Sequence, residues 1–253
     1  MKVGLVQYCP VWENKAASKS KIRDLLKDMS GDVDLLIFPE LTLTGFTMRS
    51  KRFSERENGE SMIFFANLAV QYATHIFFGF IEEDGGKYFN SMIHLAPDKK
   101  QSCKYRKIHP FSYTGENRHY SSGTLPEITT VKGLSIGLSI CYDLRFPELF
   151  RYYAKERVDM IIDIANWPVD RIDHWYSLLK ARAIENQCYM VGVNRIGSDK
   201  SIDYPGWTSV FHPFGQELLC CKHEECVRIV NIEKNEVTKT RHNYPFLNDI
   251  RLI

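Results

Sequence analysis

Short apolar runs alternate with longer amphipathic stretches through the first two thirds of the chain, and the last third carries short runs alone. Lys2 to Tyr8 and Leu134 to Ile140 read as strands, Val33 to Phe38 as a continuous apolar strand buried on both faces, and Met160 to Ala165 as a buried strand. Ile76 to Ile81 and Tyr88 to Leu95 flank Asp84-Gly85-Gly86-Lys87, a hairpin signal. Helical spacing appears in Lys15 to Met29 (Ala17, Ile22, Leu25, Leu26, Met29) and in Ser61 to Ala73 (Met62, Phe65, Ala66, Ala69, Ala73). Phe146 to Arg157 predicts a helix with Pro147 in its first turn. Asp173 to Gln187 predicts another, with Trp175, Leu178, Leu179 and Ala183 inward. Tyr189 to Val193, Trp207 to His212, Glu217 to Cys221 and Cys226 to Ile232 close the chain with strands. No repeat, linker or low-complexity tract divides residues 1–253, so one α/β domain with mixed sheets is expected.

Composition narrows the class. Of 253 residues 44% are hydrophobic, with 15 Gly and 10 Pro, which excludes disordered and fibrous chains. Lys plus Arg number 33 and Asp plus Glu 31, a net charge of +2. That balance gives no broad basic field for nucleic acid or an anionic membrane. The run Val3 to Val6 is too short for a secretory core, and no stretch approaches the ~18 apolar residues of a membrane span. A cytoplasmic location is the expectation, with the seven cysteines as free thiols.

Open α/β sheets bind ligands beyond the carboxyl ends of their strands. Glu40, Cys141 and Asn166 each stand just past such a strand. A thiol at a strand-to-helix bend is presented as nucleophile elbows require, and a following helix N-terminus would favour its thiolate and offer backbone N–H groups to an oxyanion. Glu40, ending Ile-Phe-Pro-Glu, is placed for partial desolvation, which disfavours its charged form and suits a general base. Lys107 lies in Tyr-Arg-Lys-Ile-His. Each also has a plainer reading: a buried structural thiol, a loop-capping carboxylate and a solvated surface lysine.

The blocks around these residues settle their joint meaning. F-P-E-L-x-L-T-G-F (38–46), Y-R-K-I-H (105–109), C-Y-D-L-R-F-P-E (141–148), A-N-W-P (165–168) and A-R-A-I-E-N-Q (181–187) occur in the order found in the carbon–nitrogen hydrolase (nitrilase) superfamily. With N-R-I-G-S-D (194–199), the chain most resembles that superfamily's bacterial ω-amidases. The resemblance implies a four-layer α-β-β-α sandwich with two mixed sheets and a Glu40–Lys107–Cys141 triad. In that scheme Glu40 activates Cys141, while Lys107 and the Tyr142 N–H hold the oxyanion. A second glutamate, matched here by Glu116, orients Lys107. Pro110 stands where many relatives have Leu and fixes φ ahead of Glu116, so Glu127 is the fallback. No cofactor or metal is implied, and a homodimer is, with the apolar tail of Ile250, Leu252 and Ile253 as a candidate contact.

The implied substrate is a small ω-amide of a dicarboxylic 2-oxo acid, such as 2-oxoglutaramate. A deaminated-glutathione amidase and a catalytically silent binding or scaffold member are the alternatives. Arginine forks suit a carboxylate, and Arg145, Arg171 and Arg195 are the candidates, each equally open to a structural ion pair. Trp167 and Tyr142 are expected to wall the pocket. His174 is read as structural, and Cys220, Cys221, His223 and Cys226 lack paired Cys-x-x-Cys spacing and are read as packed thiols rather than a zinc site.

Overall fold

Two mixed sheets stack with their inner faces in one shared core, and helices cover each outer face. The structure, a computed structural model, describes residues 1–27, 29, 32–199 and 202–252. Its strands are β1 (Lys2–Gln7), β2 (Leu35–Ile37), β3 (His75–Asp84), β4 (Lys87–Leu95), β5 (Gln101–Arg106), β6 (Ile128–Val131), β7 (Leu134–Ile140), β8 (Met160–Ala165), β9 (Tyr189–Asn194), β10 (Ile196–Asp199), β11 (Ile202–Phe211), β12 (Glu217–Lys222) and β13 (Cys226–Asn231). Its helices are α1 (Lys15–Lys27), α2 (Ser50–Phe53), α3 (Glu60–Gln71), α4 (Pro147–Lys155), α5 (Ile172–Asn186) and α6 (Lys234–Asn243).

The first sheet runs β13-β1-β2-β3-β4-β5, and the second β10-β11-β9-β8-β7-β6 with β12 added on β11. Within each sheet the central pairs β1–β2–β3 and β7–β8–β9 are parallel, and the outer pairs are antiparallel. Alternation along a strand sends successive side chains to opposite faces. Leu5, Leu35, Ile37 and Phe77 therefore meet Ile136, Leu138 and Ile162 in the core that also holds Phe150, Trp175 and Leu179 from α4 and α5. Leu36, Phe38, Ile76 and Phe78 point the other way, onto Ile22 and Leu26 of α1 and Phe65 and Leu68 of α3. The expected α-β-β-α sandwich is the architecture found.

Several elements differ from the sequence reading. α1 is described to Lys27, and Asp28, within its expected span, lies outside the described residues. α3 ends at Gln71, and Ala73 takes a left-handed φ of 47° and is exposed, so Phe64 and Leu68 replace it in the buried face. Leu178 is only partly buried on α5. Strands β5, β6 and β10 and helices α2 and α6 are additional. β5 is mostly polar and half-exposed, so its pattern carries little apolar signal. In the tail, Leu252 is exposed and Ile253 lies outside the described residues. Among the described residues no helix is long and apolar enough to cross a membrane.

Candidate active site

The carboxyl ends of β2, β7 and β8 deliver three side chains to one place. β2 stops at Ile37, Pro39 breaks the strand and Glu40 follows in a turn. That turn lies against Gly79 of β3, where a Cβ would come within 2.5 Å of the Leu41 nitrogen and 2.9 Å of the Glu40 Cα. Glycine at that position is what lets the Glu40 backbone settle on the sheet. β7 ends at Ile140, and Cys141 has φ 52°, a left-handed conformation uncommon for a residue with a side chain. Asp143 and Asp163 hold the bend: Asp143 Oδ2 accepts the Ile140 N–H at 3.0 Å, and Asp163 Oδ1 accepts the Cys141 N–H at 2.8 Å. Lys107 directly follows β5, and its N–H donates to the Asn90 carbonyl on β4 at 2.9 Å.

These elements assemble a closed polar cluster. The Lys107 ammonium donates to Glu40 Oε1 at 2.9 Å and to Glu116 Oε2 at 2.9 Å, and all three side chains are buried. Asn90 donates to the same two carboxylates, at 2.7 Å to Glu40 and 3.0 Å to Glu116. Asn166 donates to Glu40 Oε2 through its backbone N–H at 2.8 Å and its side chain at 3.1 Å. A buried ion cluster is tolerated when its charges are paired and hydrogen-bonded, and here each carboxylate oxygen of Glu40 and Glu116 accepts two hydrogen bonds. Phe111 N–H also donates to Glu116, so the loop beyond Pro110 still brings Glu116 to Lys107. Glu127, the fallback, directly precedes β6 and accepts from Cys103 instead.

The electrostatics correct two expectations. Burial pushes the Glu40 carboxyl up, but the Lys107 ammonium and the hydrogen bonds from Lys107, Asn166 and Asn90 outweigh it, holding Glu40 below the ordinary carboxylate range. Glu40 is thus an ionised base at neutral pH, not one raised toward it. Burial and then the Glu40 charge raise the Cys141 thiol well above its ordinary value, against the pull of Lys107. No helix dipole rescues the thiolate. Cys141 opens a 3-10 turn to Arg145, and α4 begins only at Pro147. The resting pair is therefore a thiol beside a carboxylate. Burial lowers Lys107, but Glu116, Glu40 and Cys141 more than compensate and keep it charged.

Above this cluster opens a cleft of about 470 Å3 lined by Cys141, Lys107 and Asn166 together with Phe46, Phe111, Tyr142, Arg145, Trp167, Arg171 and Tyr204. The Arg145 guanidinium lies 4.8 Å from the Trp167 ring and donates to His174 Nδ1 at 3.3 Å. Arg145 braces neither Asp143 nor Glu148, and among the described residues it has no acidic partner. Asp143 instead accepts from Tyr105 and His109. Arg171 pairs with Asp170 at 2.7 Å and lies 5.6 Å from the Phe111 ring. Arg195 is fully buried and pairs with Asp199 at 2.6 Å behind Tyr204, off the cleft. Cys220 and Cys221 lie on β12 and Cys226 on β13; among the described residues no three His, Cys, Asp or Glu side chains converge to hold a metal ion. Sequence reasoning missed Asn90 and Asp163: Asp163 is the one polar residue of β8 and could have signalled itself, whereas Asn90 shares β4 with Lys87, Ser91 and His94 and does not stand out.

Comparison with known proteins places this geometry. The family model for carbon-nitrogen hydrolases matches residues 2–242. A 2-oxoglutaramate amidase of Bacillus subtilis is 30% identical over 91% of this chain and 90% of its own. A hydrolase encoded in the agr operon of Staphylococcus aureus is 30% identical over 100% and 98%. Among solved structures, XC1258 of Xanthomonas campestris, a CN-hydrolase superfamily protein with an arsenic adduct in its active site, superposes with a TM-score of 0.95 at 29% identity, covering 100% of this chain and 98% of its own.

Proposed function

The chain belongs to the carbon–nitrogen hydrolase family and is an amidase, and we propose that its substrate is the ω-amide of a small dicarboxylic 2-oxo acid such as 2-oxoglutaramate. The observation that carries this reading is Arg145, a guanidinium on the cleft wall beside the nucleophile that meets the His174 ring nitrogen and the Trp167 indole and, among the described residues, no carboxylate. A bidentate donor without an acid beside it is a ready seat for a carboxylate. Arg171, also on the wall, is the second cation of that rim. The similarity to a 2-oxoglutaramate amidase supports the same choice.

In this reading Glu40, Lys107, Glu116 and Cys141 are the catalytic group. Glu40 takes the Cys141 proton as Sγ attacks the amide carbon, forming a tetrahedral intermediate. Lys107 and the Tyr142 N–H hold its oxyanion, and Glu116 keeps the lysine in place. Glu40 returns its proton to the nitrogen, the C–N bond breaks, and ammonia departs from a thioester. A water then gives Glu40 a proton and attacks the thioester. The carboxylic acid leaves, and the proton returns to sulfur. Tyr142 and Trp167 wall the acyl chain. When Glu40 takes the thiol proton it loses its charge, and the oxyanion replaces that negative charge beside Lys107, so the lysine stays compensated through the step.

Ammonia release from a panel of amides tests the reading. 2-Oxoglutaramate should be turned over with the highest kcat/KM, and a covalent mass increase on Cys141 should trap the thioester. Faster turnover of deaminated glutathione would overturn the substrate and spare the mechanism. No ammonia from any amide would overturn both, in favour of a silent binding protein.

A further inference from the structure

Ser139 and Asp163 sit opposite each other in the parallel pair β7–β8, and both side chains are fully buried. Asp163 Oδ1 accepts the Cys141 N–H at 2.8 Å, while its Oδ2 lies 2.7 Å from Ser139 Oγ. Ser139 Oγ in turn lies 3.1 Å from the Ile162 carbonyl. A hydroxyl has one proton to donate. Were Asp163 ionised, the Ser139 proton would face two acceptors. With the proton on Oδ2, the acid donates to Ser139 and Ser139 donates to Ile162, and every contact in the chain holds one hydrogen.

The surrounding charges agree. The groups acting on Asp163 are the carboxylates of Asp143 and Glu40, and among the described residues no Lys, Arg or His lies within ion-pair distance. Burial raises this carboxyl well above the ordinary carboxylate range; Asp143 and Glu40 add to the rise, and the hydrogen bonds from Ser139 and Cys141 do not reverse it.

We propose that Asp163 is a positioning residue for the nucleophile, an uncharged acid whose Oδ1 pins the Cys141 N–H and whose Oδ2–H donates a hydrogen bond to Ser139 Oγ. Two consequences follow for the reaction, both resting on Cys141 as the nucleophile. First, the Cys141 N–H is withheld from the oxyanion, which leaves that task to Lys107 and Tyr142. Second, the left-handed turn is clamped from below without placing a further negative charge under the sulfur, which leaves burial and the charges of Glu40 and Glu116 as what opposes thiolate formation at rest.

The test compares Asp163→Asn with Asp163→Val in the full chain. Val keeps the strand filled but removes the acceptor; kcat should fall about 100-fold, the scale of a misplaced reacting group, with KM within about threefold. Asn keeps an acceptor for Cys141 and a donor for Ser139. It should rescue kcat to within about fivefold and leave the pH profile of Cys141 alkylation by iodoacetamide superimposable on that of the native protein. An Asn variant as impaired as Val, or one whose alkylation profile moves by more than about half a pH unit, would mean a charged Asp163 and overturn the proposal. A Val variant with native kcat would overturn it too. Thermal melts of both variants separate lost positioning from lost folding: a Val variant that is folded yet slow supports the proposal. Alkylation reads the thiol without substrate, so failure of the amidase reading would show separately, as wild-type protein that alkylates at Cys141 but releases no ammonia.

Discussion

At the floor of the cleft Glu40, Lys107, Glu116 and Asn90 are buried, and each makes at least two hydrogen bonds within the cluster; at its rim Arg145 and Arg171 are half-exposed and lie against aromatic rings. The floor is over-determined. Removing any one member leaves a buried charge or amide without its partner, so its geometry is fixed before substrate arrives. The rim is under-determined, and its free hydrogen-bonding capacity is what a ligand can use. In the proposed reading the chemistry therefore resides in the floor and the choice of amide in the rim.

The largest expected effects come from the floor. Cys141→Ala and Glu40→Gln should each lower kcat by about 10^4-fold or more, since groups that act as one unit lose nearly everything together. Ammonia release at saturating substrate measures this. Retention of a tenth of the native rate in either variant would remove it from the catalytic group.

Lys107→Ala comes next, with two readouts. Loss of an oxyanion donor should lower kcat about 10^2- to 10^3-fold. Two buried carboxylates would also lose their counter-charge, which should destabilise the fold by about 3–5 kcal/mol in chemical denaturation. Native stability in this variant would show that the floor is less tightly coupled than its geometry indicates.

Arg145→Ala probes the rim and should leave the floor untouched. Loss of a charged hydrogen-bond donor should raise KM for a carboxylate-bearing amide about 10- to 100-fold, with kcat within about threefold and stability unchanged. Kinetics with a neutral amide of the same length should hardly change. A fall in kcat at steady KM would instead place Arg145 among the groups that act on the transition state, and the contrast between floor and rim would fail.

The same contrast governed what could be read from the sequence. Glu40, Cys141 and Asn166 were legible because each ends an apolar strand, where a polar residue breaks a clear pattern. Lys107 and Glu116 carried no such signal and entered through the family resemblance alone; Lys107 follows β5, a strand whose alternation is masked by polar residues on both faces. Asn90 and Asp163 lie inside strands, where a polar residue has no stated partner until the neighbouring strands and the loops at their ends are in place. Arg195 looked as good a carboxylate ligand as Arg145, and only the buried Asp199 beside it separates the two. The direction of the Glu40 shift was misread for a related reason. Burial is visible in a sequence, but the three donors that outweigh it come from β4, β5 and the end of β8.

The smallest expected effect is the pH dependence, and it tests whether floor and rim titrate separately. Glu40 must be ionised to accept the thiol proton, and its carboxyl is held below the ordinary carboxylate value of about 4.3. As pH falls, the base is therefore lost only below that value, so kcat/KM should stay flat from neutrality down past about pH 5. On the alkaline side Lys107 is held above its ordinary value of about 10.4, so the ammonium persists through pH 9 and the rate should not fall for want of it. Lys107→Ala removes the charge that depresses Glu40 and should move the acid limb upward, toward neutrality. Arg145→Ala should leave both limbs where they are. An acid limb that moved in the Arg145 variant would mean that its charge reaches Glu40, and the rim would then share in tuning the base.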